Sequence, residues 1–95
     1  MNQTIASAIQ RKRLITFTYH GIARTVEPHT YGTDNKAVEK LSAWQILGKY
    51  GDPEDWRMYI ESDMSLLTVL ATTFQYERSG YARNDPRMKV VYAQI

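Results

Sequence analysis

Residues 14–32 read LITFTYHGIARTVEPHTYG, and the fold turns on how this stretch is read. Leu14 to Tyr19 consists mostly of β-branched and aromatic residues, with Ile15, Phe17 and Tyr19 on one face of an extended chain. His20-Gly21 supplies a tight turn, and Ile22 to Tyr31 returns as the second strand of a hairpin. Pro28 has no N–H to give to a ladder, so it marks an edge, a bulge or the strand's end. The same stretch carries Tyr19, Arg24, His29 and Tyr31. Simple alternation puts Arg24 with Ile22 and Val26, and His29 on the opposite parity. Both serve one site only if Pro28 marks a bulge or kink that re-aims the chain.

Before the hairpin, Thr4 to Arg13 reads as a short amphipathic helix. Ile5, Ala8 and Ile9 share a face, Thr4 is the expected N-cap, and Arg11, Lys12 and Arg13 fall in the last turn, where cations suit the helix dipole. After the hairpin, Gly32 to Glu39 is a polar turn region and Lys40 to Tyr50 a third strand, with Leu41, Ala43 and Leu47 opposite Trp44 and Ile46. Gly51 to Asp55 is the clearest turn. Trp56 to Glu61 alternates again, Ser62 to Ser65 is a turn or a short helical start, and Leu66 to Phe74 is a fifth apolar run. Gln75 to Asn84 reads as an exposed loop and Asp85-Pro86 as a helix-start signal. Met88 to Ile95 fits a helix or a strand equally.

One helix followed by about five short strands at short spacing predicts a mainly β chain, a small antiparallel barrel rather than a parallel sheet. At 95 residues this is one domain, divided into an N-terminal helix (1–13), the barrel (14–74) and a C-terminal extension (75–95). The absence of cysteine removes disulfides, thiolate nucleophiles and cysteine-ligated metals, and suits a cytoplasmic protein. No stretch approaches the roughly 18 apolar residues of a membrane span. Charge is uneven: residues 1–50 carry seven Lys/Arg against three Asp/Glu, and residues 51–95 five against seven. A patchy surface of this kind attracts anions, nucleic acid among them, at its basic parts.

The sequence holds no phosphate-binding glycine loop, no nucleophile elbow and no HExxH, so a catalytic role and a cofactor are not expected. His20 and His29 would need carboxylates such as Glu27 or Asp34 to hold a metal, and no metal site is expected. What remains is a set of arginines and aromatics. Aromatic faces stack bases and arginines between them pair phosphates. Phe17 and Trp56 are read as core. For Arg24, His29, Tyr31, Arg57 and Tyr59, a binding role and a structural role weigh about equally.

In order along the chain stand IASAIQRKRLITFTYHG, RTVEPH, LSAWQILG, WRMYI and LLTVLATTF. This order resembles the WYL domain family from about Ile5 to Phe74, with the tail similar to the extension of small stand-alone members. The resemblance implies an SH3-like, Sm-like barrel that senses a ligand or binds nucleic acid in bacterial transcription regulation or phage defence. It points to Tyr19, Arg24, His29, Trp44, Arg57 and Tyr59 as the binding face. The family's naming Trp-Tyr-Leu run is replaced here by Leu41-Ser42-Ala43-Trp44, and the arginine of its Asp-Arg-Ile segment is missing. In the resulting expectation Arg24 and Arg57 pair anionic oxygens, His29 donates a hydrogen bond, and Tyr59, Tyr31 or Trp44 stacks. The partner is a nucleic acid or a small anionic ligand. The alternative is a module that pairs with itself or with a separate regulator.

Overall fold

The structure, a computed structural model, describes residues 1–47 and 53–95. A helix α1 (Gln3–Gln10) precedes β1 (Arg13–Tyr19), β2 (Ile22–Thr33), β3 (Glu39–Leu47) and β4 (Asp55–Ile60). A single 3-10 turn (Glu61–Asp63) leads into β5 (Met64–Thr73), and β6 (Val90–Gln94) closes the chain. The six strands form one antiparallel sheet in the order β4-β3-β2-β1-β5, with β6 added alongside β2. The expected mainly β fold with an N-terminal helix is therefore present, with six strands rather than about five.

The opening hairpin is tight because His20 (φ 51°) and Gly21 (φ 75°) both take left-handed backbone, which matches the twist of the flanking strands and sets Tyr19 opposite Ile22. β2 runs straight through Pro28 to Thr33. The register against β3 shifts between Pro28 and Thr30, so His29 is the extra residue of a bulge. The sheet curls strongly. Tyr59 of β4 meets Phe17 and Tyr19 of β1 edge to face, each at 4.9 Å between ring centroids, although two strands lie between β4 and β1 in the sheet. Among the described residues no ladder joins β4 to β5. Ile5 and Ile9 of α1 complete the core with Ile15, Phe17, Val26 and Leu41.

Three local expectations change. The helix ends at Gln10, and its N-cap is Asn2, whose Oδ1 accepts the N–H groups of Thr4 and Ile5. Arg11 caps the helix end, Lys12 turns left-handed (φ 52°) and Arg13 opens β1, so the basic triplet is the corner after the helix and not its last turn. Asp85-Pro86 opens no helix, because the Asp85 carboxylate folds onto the Arg87 N–H (2.9 Å) and the Arg87 guanidinium (2.6 Å) instead. The chain then enters β6, which settles Met88 to Ile95 as strand-forming. The third strand is described to Leu47; its expected continuation to Tyr50, and the first part of the Gly51 to Asp55 turn, lie outside the described residues. Among the described residues no helix is long and apolar enough to cross a membrane.

Candidate functional site

The bulge does not bring His29 to Arg24: His29 keeps the opposite parity, and it is Tyr31 that the bulge turns onto the inward row with Leu41. Arg24, on the inward parity of Val26, reaches the Gln45 Oε1 with Nη1 (2.9 Å) and the Tyr19 carbonyl with Nη2 (3.4 Å), with its guanidinium 5.8 Å from the Tyr19 ring. Tyr59 donates to the same Gln45 oxygen at 2.9 Å. Tyr19 in turn accepts the Ile60 N–H at its hydroxyl (3.0 Å). Arg24, Gln45, Tyr59 and Tyr19 thus form one polar cluster where the curled sheet brings β4 back onto β1. Burial pushes the Tyr59 phenol up to about 12, while the positive charges of Arg24 and Arg57 pull the other way. Arg57 itself donates to the Trp56 carbonyl (3.3 Å) and lies 3.6 Å from Asp55.

Two donors of this cluster are unspent. Among the described residues, Arg24 Nε and Gln45 Nε2 are buried and have no acceptor. A buried donor without a partner is costly, and native structures hold few of them. Gln45 is fully buried, on the inward row of β3 with Leu41 and Ala43. It was not among the expected site residues. The signal was available: a glutamine at a position where alternation calls for an apolar side chain.

His29 goes elsewhere. It is fully buried, stacked on Phe74 (5.3 Å) and edge-on to Trp56 (4.8 Å). Its Nδ1 lies 2.8 Å from the Glu27 carbonyl, which only accepts, and its Nε2 accepts the Arg78 N–H at 3.1 Å. The ring is thereby fixed as the neutral Nδ1–H tautomer with both nitrogens used, so it has no proton to donate to a ligand. Around it, Glu27, Trp44 and Trp56 stand in one register row across β2, β3 and β4. Arg78 lies over this row, 5.2 Å from the Trp44 ring, with two contacts to Glu27. Trp56 donates its indole N–H to the Ser79 carbonyl (2.8 Å), so it holds down the C-terminal segment and is half-buried rather than core. Segment 75–84 is an exposed loop, as expected, and it is fastened as a strap across the tryptophans. Beside it a cleft of about 290 Å³ opens between Trp56, Tyr81, Thr30 and Ser42.

Tyr31 occupies a third place. It is fully buried, and its hydroxyl lies between the carboxyls of Glu39 (3.0 Å) and Glu61 while accepting the Asn2 N–H (2.7 Å). Contact with Glu61 and other neighbours holds Glu39 down at about 2, and burial pushes Glu61 above the usual carboxyl range. The two carboxyls meet at the Tyr31 hydroxyl, and Glu61 is the one of the two that is more readily protonated.

Of the expected site residues, Tyr19, Arg24, Tyr59 and Arg57 converge, whereas His29, Tyr31 and Trp44 do not join them. Tyr31 and Tyr59 are corrected in one respect: both rings are buried in the core and offer no face for stacking. Trp44 keeps a half-exposed ring, but its flank is occupied by Arg78 and its N–H by Glu54 (3.2 Å). Among the described residues no three His, Cys, Asp or Glu side chains gather as metal ligands. No family model matches the chain, and no curated protein or solved structure matches it.

Proposed function

We propose that the chain is a non-catalytic, WYL-like binding module for a small anionic or nucleotide-like ligand, held at the Arg24–Gln45–Tyr59 cluster with Arg57 alongside. One observation carries the reading: among the described residues Arg24 Nε and Gln45 Nε2 are buried donors with no acceptor, within a cluster built on the Arg24 guanidinium. A phosphate or carboxylate oxygen supplies the missing acceptor, and a charge-assisted bond of that kind is about twice as strong as a neutral one. Tyr59 is bonded to Gln45 and Gln45 to Arg24, so these side chains orient the arginine fork rather than perform proton transfer. The resemblance of the segment order to WYL domains points to the same class of function, in a regulatory or defence-related setting.

The test is titration of the protein at low salt with inorganic phosphate, adenosine monophosphate and a short oligothymidylate, read by calorimetry. Binding is expected to weaken with added salt, to be lost in Arg24→Ala, and to be only partly retained in Arg24→Lys, which keeps the charge but not the fork. Equal binding by wild type and Arg24→Ala, or no binding of any probe by the folded wild type, overturns the reading.

A further inference from the structure

The five-strand path of the sheet ends at β5, which bonds β1 along one edge. Among the described residues nothing pairs with the other edge. Its ten residues, MSLLTVLATT, include no charge, no proline and no glycine. Native sheets protect a free edge with lysine, proline, short strands or bulges, because unpaired N–H and carbonyl groups are a template for another strand. Here the protection is partial. Two register shifts interrupt the pairing with β1, but between them Ile15 faces Val69 and Thr16 faces Thr68 in regular ladder. β4, at the opposite end of the path, is shorter, at six residues, and carries Asp55 and Arg57.

We propose that the free edge of β5 pairs antiparallel with the β5 of a second copy of this chain, about a twofold axis, to form a dimer. Antiparallel pairing is self-complementary: under a twofold each donor of the strand meets an acceptor of the same strand in the mate. The residues near the axis then face their own copies, and a like charge there destabilises the pair. A strand that recognises itself must therefore be uncharged through its centre, and β5 is uncharged throughout. The central Thr68 and Val69 are β-branched, as cross-strand pairs favour. Leu66, 81% exposed beside the same edge, is the apolar surface such a mate would cover. Pairing β5 onto a neighbour's β4 instead sets an uncharged strand against Asp55 and Arg57 and propagates into rings or open chains rather than a dimer. The inference is independent of any ligand at Arg24.

The test is light scattering coupled to size exclusion over a concentration series of the intact chain, beside Thr68→Lys and Thr68→Val. Thr68 is exposed, so neither substitution disturbs the core. Wild type and Thr68→Val are expected at twice the chain mass. Thr68→Lys is expected at the mass of one chain, with an unchanged circular dichroism spectrum. Amide exchange of residues 64–73 in the wild type is expected to slow as concentration rises, a readout that needs no variant. A wild type that stays at single-chain mass, a dimer that survives Thr68→Lys, assemblies larger than two without a dimer step, or exchange in 64–73 independent of concentration overturns the proposal.

Discussion

Arg78 grips Glu27 at two points across 51 residues of chain, Nε to Oε1 at 2.7 Å and Nη2 to Oε2 at 3.0 Å. The Glu27 carboxylate is only 5% exposed as a residue, whereas Arg78 keeps an open side to solvent. The pair fastens the strap 75–84 to the sheet, and Arg78 also stacks on Trp44. The asymmetry in burial decides which deletion hurts more.

Arg78→Ala strands a buried carboxylate and is expected to cost about 2 kcal/mol, below the range for a fully buried pair because one partner is half in water. Glu27→Gln removes the charge itself and leaves an amide that still accepts from Arg78, so it is expected to cost clearly less. Urea denaturation of both variants measures the difference from the midpoints at common slope. Equal losses would show that the pair acts only as packing.

The same strap makes stability depend on His29. Burial lowers its pKa from the ordinary 6.5, outweighing the opposing hydrogen bond to the Glu27 carbonyl. The unfolded chain therefore binds a proton at a pH where the folded chain does not. Stability from the neutral ring is complete above pH 6.5 and is lost as pH falls from there through the lower folded value. Melting temperatures of wild type are expected to fall across that interval, and His29→Gln is expected to flatten the decline.

How much of this was legible in the sequence follows from the range of the forces involved. The hairpin of residues 14–31 was legible because strand propensity, the His20-Gly21 turn and the Pro28 irregularity are all local signals. The bulge was legible only as one of three readings of Pro28, and the shared site of Arg24 and His29 for which it was invoked is not formed. The inward face of β4 was less so. Alternation grouped Trp56, Met58 and Ile60 against Arg57, Tyr59 and Glu61, and hydrophobicity favours the first set as core. The structure buries Tyr59 instead, because the curl of the sheet sets it on Phe17 and Tyr19, residues about 40 positions away. The Arg78–Glu27 pair and the return of β6 onto β2 left no local trace at all. The Asp85-Pro86 signal misled for the opposite reason: it is local and real, but Arg87 captured the carboxylate that would have capped a helix.

Glu61, which meets Glu39 at the Tyr31 hydroxyl, produces a second pH dependence, opposite in sign to that of His29. Glu61, raised by burial and by its neighbours, contributes stability that is complete below its ordinary 4.5 and is lost as pH rises through its folded value. Glu39, held at about 2, contributes stability that is complete above its ordinary 4.5 and lost as pH falls through about 2. Glu61→Gln fixes the neutral member of the pair: its amide donates to Glu39 and still accepts from Tyr31. The variant is expected to melt above wild type at alkaline pH, with the gap narrowing as pH falls towards 4.5. A constant gap at all pH would mean that Glu61 does not titrate above its ordinary range in the folded chain.

Gly32 determines whether β6 can dock at all. A Cβ built there lies 1.9 Å from the Val90 carbonyl oxygen, and the obstacle is backbone of the β2–β6 ladder rather than a movable side chain. Gly32→Ala must therefore open the ladder, which also carries the Lys89 N–H to the Thr33 carbonyl (2.7 Å) and the Ile95 N–H to the His29 carbonyl (3.0 Å). The strap is tied to the same strand end, through the Tyr81 hydroxyl and the Arg83 guanidinium on the Ile95 carbonyl, both at 2.6 Å. Loss of roughly 2–4 kcal/mol is expected, of the order seen for severe overpacking and broken pairing. Because the strap covers Trp56, its tryptophan fluorescence should shift to the red before global unfolding. Gly21→Ala provides the contrast. Its φ of 75° strains any other residue, but the space around it is open, so it is expected to cost only about 1 kcal/mol and to leave the fluorescence unchanged. Two glycine substitutions of equal size would then separate a steric block on β6 from a turn preference, by the spectral shift that accompanies only the first.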